Sequence, residues 1–215
     1  MEIKVWFTSD IHFGHKNVLR FCKKRQDKMG IDLEDPDFDE KHRLYLIEQW
    51  NKTIGKKDIV YILGDFSFYN REGTRRILEK LHGKKHLILG NHDKSCKGLE
   101  NYFESVSQIK TVDFKKHEYD FLDENFIIEM CHYPIFSWNR RQHGSCHVHG
   151  HCHGSIDELN KQSKELRVDV GYDGELANLD FIGLEQLYKY FKSITGELTF
   201  NQYIEKKMEN DGYRL

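Results

Sequence analysis

Three short apolar runs, each closing on a polar cluster, limit what this chain can fold into. Ile3 to Ser9 is β-branched and aromatic and gives way to Asp10-Ile11-His12. Asp58 to Leu63 runs into Gly64-Asp65, and His86 to Leu89 leads into Gly90-Asn91-His92-Asp93. Apolar runs this short suit strands covered on both faces, as in a layered α/β fold. Ligand sites in open α/β sheets gather outside the carboxyl ends of strands, so the three polar clusters are expected to meet. Asp10 and His12, at i and i+2, leave the first strand on the same side. A carboxylate and an imidazole so placed can hold one ion, although a lone D-x-H is more often a capping Asp followed by a surface His.

Helical patterns separate the strands. Val18, Phe21 and Cys22 recur at helical spacing in a short helix that starts near Asn17. Lys23 to Glu40, charged and rich in turn formers, reads as a surface loop. Asp39 then caps a helix whose apolar stripe is Leu44, Ile47, Trp50 and Ile54 and which Gly55 ends. Ile77, Leu78 and Leu81 share one face of a helix over 74–81 that stops at Gly83. The stretches 107–114 and 119–121 alternate as a hairpin would, and Phe126 to Cys131 is a strand ending at His132. Ser155 to Leu166 is a polar excursion and Arg167 to Val170 a strand. Leu184, Leu187, Tyr188 and Phe191 mark a last amphipathic helix, and the tail 196–215 carries at most a short strand or helix.

The densest chemistry lies at Ser145 to Gly154, where His147, His149, His151 and His153 occupy every second position. On a strand this spacing aims a column of imidazoles at one point. Imidazole suits Zn, Mn, Fe or Ni, whereas several buried neutral histidines would each need a hydrogen-bond partner. No C-x2-C pair supplies the other half of a zinc-finger site, so further ligands must come from elsewhere.

Composition narrows the setting. The 215 residues fit one domain over 1–215, with two prolines and no linker-like segment. A net charge of -2, from 33 basic and 35 acidic residues, gives no global attraction to nucleic acid or to an anionic membrane. No apolar run approaches the ~20 residues of a spanning helix, and the N-terminus has no signal-peptide shape. Five cysteines without paired spacing argue for reduced thiols, so a cytoplasmic location is expected.

In order, the chain carries D-x-H (Asp10, His12), G-D (Gly64-Asp65), G-N-H-D (Gly90 to Asp93), a lone His132 and G-H-x-H (Gly150 to His153). This set, spanning residues 8 to 153, resembles the signature of the calcineurin-like metallophosphoesterase superfamily, in a compact bacterial or phage-type form. The resemblance implies a four-layer αββα sandwich with a di-metal centre at its strand ends. By the same resemblance, Asp10, His12 and His153 hold the first ion, Asn91, His132 and His151 the second, and Asp65 bridges them. The resemblance also implies that His92 is not a ligand but points to the substrate phosphate as the catalytic histidine. Manganese is the first choice of metal for mixed N and O donors, with Fe, Zn or Ni as alternatives. A metal-bound hydroxide would attack phosphorus.

The Ser/Thr phosphatases of the superfamily carry an Asp-Arg pair shortly after G-D, whereas here Gly64-Asp65 continues as Phe66-Ser67-Phe68-Tyr69-Asn70. A phosphodiesterase acting on a small or nucleotide-type phosphoester is therefore expected. The alternatives are a phosphomonoesterase, a non-catalytic scaffold of the same fold and a metal-sensing module. Arg140 and Arg141 are candidate phosphate clamps, weighed evenly against a solvated loop. His15, one turn past His12, is a further substrate-side candidate. His147 and His149 are read as supports for the ligands, and Cys131 and Cys152 as small core residues.

Overall fold

Alternation along the first strands decides the layering. In β1 (Val5–Thr8) and β2 (Ile59–Ile62), Val5, Phe7 and Tyr61 face one core while Val60 and Ile62 face another. β3 (Lys84–Ile88) divides in the same way, with Ile88 on one side and Leu87 on the other. A sheet apolar on both faces must be covered twice. The computed structural model, which describes residues 2–210, covers one face with a second sheet and the other with helices.

The first sheet has the order β4-β3-β2-β1-β9, where β4 is Ser105–Ser107 and β9 is Ile182–Gly183. β1 to β4 run parallel and only the edge strand β9 is antiparallel. The second sheet contains β5 (Ile109–Phe114), β6 (Phe126–Cys131), β7 (Cys146–His149) and β8 (Arg167–Asp169), in that order. Phe126, Ile128, Met130 and Val148 meet Phe7 and Tyr61 in the core between the sheets. On the outer face of the first sheet lie α3 (Phe38–Thr53) and α4 (Arg71–Leu78), which contribute Leu46, Trp50, Ile77 and Leu78. α6 (Leu184–Thr195) buries Leu184, Leu187, Tyr188 and Phe191 as its spacing predicts. Two sheets flanked by helices are the architecture expected. Among the described residues no helix is long and apolar enough to cross a membrane.

Several local expectations are corrected. Lys23 to Glu40 is not a loop throughout, because α2 (Lys23–Met29) follows the single turn α1 (Val18–Phe21), and α3 already begins at Phe38. The misreading has a physical cause in Arg25, a cation that is fully buried inside the segment. The cap of α3 is Asp37, with Asp39 in the first turn. Its buried stripe is His42, Leu46 and Trp50, continued by Ile54, and Leu44 is half exposed. A histidine in the stripe hid its i, i+4 phase. α4 starts three residues early because Asn70 Oδ1 accepts a bond from Gly73 N at 2.8 Å.

The hairpin forms between β5 and β6, with Ile109 opposite Cys131 and Phe114 opposite Phe126, and does not use 119–121. The polar excursion contains α5 (Asp157–Ser163), and the tail forms α7 (Phe200–Asn210), which buries Phe200 and Ile204. Residues 211–215 of that tail lie outside the described residues.

Trp50 is fully buried, stands edge-on to Phe181 at 5.1 Å and donates from Nε1 to His82 O at 3.0 Å. Trp50→Ala is expected to cost about 3–5 kcal/mol through the cavity and the unpaired carbonyl. Urea unfolding of the two proteins measures the loss.

Candidate metal centre

The loops leaving β1 and β2 stay paired after the strands end. Asp10 N donates to Gly64 O at 3.0 Å and His12 N to Asp65 O at 3.1 Å. Along them the backbone is left-handed at Asp10, His12 and Asp65, with φ of 56°, 58° and 51°. His151 and His153 share this conformation, at 68° and 48°. Outside glycine such φ values cost of order 1–3 kcal/mol each and persist where the surroundings over-determine them. Here they turn five side chains toward one place.

Two donor groups result. Asp10 Oδ1 lies 3.7 Å from His12 Nε2 and 3.7 Å from His153 Nε2, and the two imidazole nitrogens are 3.2 Å apart. In the second group, His132 Nε2 lies 3.1 Å from Asn91 Oδ1, and the His151 ring stands edge-on to that of His132 at 5.1 Å. Asp65 reaches both groups, with Oδ2 4.0 Å from His12 Nε2 and Oδ1 3.6 Å from His132 Nε2. All seven expected ligand positions therefore converge. His92 is at the lip, its side chain about half exposed and its Nε2 4.0 Å from Asp65 Oδ2.

The close approach requires two of the glycines. A Cβ on Gly150 would collide with Ser9 Oγ and Asp10 Oδ2, and one on Gly90 with Asp65 Oδ1. Each carboxylate is also fixed from behind. Asp10 Oδ2 accepts from His151 N at 2.8 Å, and Asp65 Oδ1 from His92 N at 2.9 Å.

The donor set fits a cation. Asp10 is fully buried, and its Oδ1 has no hydrogen-bond partner while facing two imidazole nitrogens. His132 Nδ1–H donates to Leu63 O at 2.6 Å, so Nε2 is the ring nitrogen turned toward Asn91 Oδ1 and free to ligate. Asp10, His12 and His153, and likewise Asp10, Asp65 and His132, have ligand atoms within 4.8 Å of one another. Burial pushes the Asp10 carboxyl up, but His12, His153 and His132 outweigh it and hold the group below its ordinary range. The second group contains an imidazole disfavoured as a cation, since burial lowers the pKa of His151.

Three residues with structural duties here had not been anticipated. Asp173 accepts from His153 Nδ1 at 2.8 Å and is gripped by Arg25 Nε at 2.9 Å and Nη2 at 2.7 Å. Arg25 also donates to the carbonyls of Ile11 and Asp10. Burial would raise the Asp173 carboxyl, yet His153 and Arg25 drive it well below the usual range. The same contact with Asp173 raises His153. The third is Asp93, whose carboxylate accepts from Asp65 N, Phe66 N and Gly90 N and so ties the β2 and β3 ends together. The last position of G-N-H-D carried that signal, but Arg25 and Asp173 have no motif to mark them.

The histidine column is corrected. β7 ends at His149, and His151 and His153 sit beyond it on a left-handed turn. His147 bonds Glu129 O through Nδ1 and accepts from Ile135 N at Nε2. His149 bonds Gly150 O and Asn160 Nδ2. Burial lowers these two histidines to about 4 and about 3. Both are neutral, saturated side chains that brace the turn.

His15 lines the cleft beside His12, His92 and His153, together with Phe21 and Phe68. Arg140 and Arg141 do not line it. The Arg141 guanidinium is bound to Glu165 at 2.8–3.1 Å and lies over Trp138.

A family model for calcineurin-like phosphoesterases matches residues 3–169, a span that contains every converging donor. The chain belongs to the calcineurin-like phosphoesterase family. It is accordingly a metal-dependent phosphoester hydrolase, of a family that typically uses divalent metals. Among its relatives, the Gene 66 protein of Mycobacterium phage D29 is 30% identical over 192 residues, covering 79% of this chain and 87% of that protein. The Gene 66 protein of Mycobacterium phage L5 is 28% identical over 202 residues, with 82% and 91% covered. An uncharacterized protein of Methanocaldococcus jannaschii is 26% identical over 192 residues, with 86% and 90% covered. The crystal structure of a protein of unknown function from Aquifex aeolicus shares the fold with a TM-score of 0.62 at 20% identity, covering 88% of this chain and all of that one.

Asp173 lies past the matched span, and its hold on His153 is testable in this phosphoesterase. Asp173→Asn keeps an acceptor for His153 but removes the charge, and metal affinity is expected to fall about 10- to 100-fold. Metal titration of the purified variant measures it, with circular dichroism confirming that the fold is retained.

Proposed function

We propose that this phosphoesterase is a di-metal phosphodiesterase acting on a small or nucleotide-type diester. The observation that carries the diester reading is that the cleft lined by His12, Asp65, Asn91, His151 and His153 adjoins a second cavity, the two sharing Asn91. A diester has a substituent on each side of its phosphorus, whereas a monoester needs room on one side only. The di-metal reading rests on Asp65, whose two oxygens face different donor groups.

In this reading Asp10, His12 and His153 hold one ion, and Asn91, His132 and His151 the other. Asp65 is shared. The donors are imidazole, carboxylate and amide without thiolate, a set that suits manganese and also Fe, Zn or Ni. When bound, divalent ions supply Lewis acidity toward a phosphoryl oxygen and acidify a water for in-line attack. The remaining work belongs to side chains of this protein. The bonds from Leu63 O and Asp173 keep the Nε2 atoms of His132 and His153 directed inward, so little reorganisation is needed. His92, at the open lip, places Nε2 where it can carry the proton delivered to the leaving ester oxygen.

His92→Ala is expected to lower kcat by about 10²- to 10⁴-fold with metal content unchanged. Asp65→Ala should lose metal and turnover together. Metal analysis and steady-state kinetics on both variants check these outcomes, and a His92→Ala protein that arrives metal-free would remove the role assigned to it. A preference for aryl phosphomonoesters over diesters in reconstituted wild-type protein would overturn the diesterase reading.

A further inference from the structure

The metal cleft and the cavity that adjoins it at Asn91 both have apolar or aromatic walls open to water. The cleft, of about 440 Å³, holds the converging donors and is walled beyond them by Phe21, His15 and Phe68. Phe68 meets the His15 ring edge-on at 4.2 Å and lies against His92 at 4.6 Å. Phe21 is 80% exposed and Phe68 37% exposed. The other, of about 520 Å³, lies beyond Asn91 and is walled by Leu89, Val106, Ile109 and Tyr133, with Lys94 and Lys97 also lining it. Tyr133 is 44% exposed, and its ring stands edge-on to His132 at 5.0 Å and to His151 at 4.9 Å. Large rings left in water at the metal cleft and in the cavity that adjoins it mark places where a ligand covers them. Planar, sequence-tolerant stacking is what such rings offer a nucleobase.

Resting on the diesterase reading above, we propose that the two cavities are nucleoside subsites. The substrate is a phosphodiester that carries a base on each side of the scissile phosphorus. One base lies against Phe68 and Phe21, and the other against Tyr133 in the groove formed with Ile109. Hydrolysis adds water across one P–O ester bond: the water oxygen bonds to phosphorus, the ester oxygen leaves with a proton as a nucleoside hydroxyl, and the other nucleoside keeps a phosphomonoester. Lys94 and Lys97 stand beside the second subsite to meet a further phosphate. The near-neutral chain has no net attraction for a long polyanion, which favours a short substrate. A free dinucleotide and the end of a single strand present the same chemistry.

The test uses the full chain reconstituted with manganese and compares adenylyl-adenosine, a longer single strand of the same base, and diglyceryl phosphate, a diester without rings. The dinucleotide is expected to exceed diglyceryl phosphate by at least about tenfold in kcat/KM, as stacking of one base supports. Phe68→Leu and Tyr133→Leu should each reduce that ratio about tenfold, and Phe68→Tyr and Tyr133→Phe should keep it. In metal-free protein the dinucleotide should shift the ring resonances of Phe68 and Tyr133 in NMR spectra, and diglyceryl phosphate should not. Whichever of dinucleotide and strand is turned over faster identifies the source, and either order supports the proposal. Equal hydrolysis of the ringed and ringless diesters, with the ratio unmoved in the leucine variants, overturns the subsites and leaves the diesterase reading intact. Hydrolysis of 4-nitrophenyl phosphate without hydrolysis of any diester defeats both.

Discussion

A fully buried carboxylate with one oxygen unpartnered is the constraint on which the rest of this phosphoesterase depends. Taking an ionised carboxylate out of water costs several kcal/mol unless opposite charge and hydrogen bonds replace its hydration. Asp10 receives a single backbone bond, from His151, and its free oxygen faces His12 and His153 at 3.7 Å. A cation held jointly by all three would meet that need. Arg25 makes the arrangement coherent, since one buried guanidinium bonds the carbonyls of Asp10 and Ile11 and, through Asp173, sets the His153 ring.

Holding such a group together requires strain elsewhere. Five converging side chains sit on left-handed backbone, which for residues with a Cβ is disfavoured by clash with the neighbouring carbonyl. The scaffold over-determines those turns. The β1 and β2 loops bond to each other past the end of the sheet, and Asp93 fastens the β2 loop to the β3 end with three backbone bonds. Burial raises the Asp93 carboxyl despite these bonds, a sign of how dry the junction is. Dryness and rigidity serve the same end, because donors fixed in advance in a low-dielectric site need no rearrangement to act on a charged centre.

That the clusters at Asp10, Asp65 and Asn91 would meet was legible in the sequence because each lies in a short motif at the end of an apolar run, and strand ends in layered α/β folds converge; the remaining positions were implied by the resemblance of the ordered set to a family. The sheets and α6 were legible for the same reason of periodicity. The α2 segment was not, since its stabilising residue is a buried arginine whose partners, Asp173 and two carbonyls, are remote in sequence or featureless in it. The α3 stripe was legible at Trp50 and Ile54, but Leu44 points outward because His42 occupies the apolar phase before Leu46. The histidine column misled in the opposite way. Its even spacing suggested one strand face, but the strand stops at His149, and what brings His151 and His153 inward is backbone conformation, which spacing does not reveal. Arg141 shows the limit for charge pairs, because nothing local announces that Glu165 will claim it.

Burial divides the site into a floor and a rim. Asp10, His12, Asp65 and His132 are buried, and all leave strand ends, whereas Asn91, His92, His151 and His153 stand in exposed loops. The floor is fixed by sheet register and core packing, so a change there disturbs the fold as well as the chemistry. The walls are different. Phe21 closes the single turn α1, Phe68 lies in the loop after β2, and Tyr133 follows β6. Each projects from a connection rather than from a packed strand, and connections tolerate replacement better than cores do. Phosphoester chemistry and the choice of what is attached to phosphorus are thus carried by separate parts of the chain, so the same donor set can serve substrates that differ only in what lies beside it.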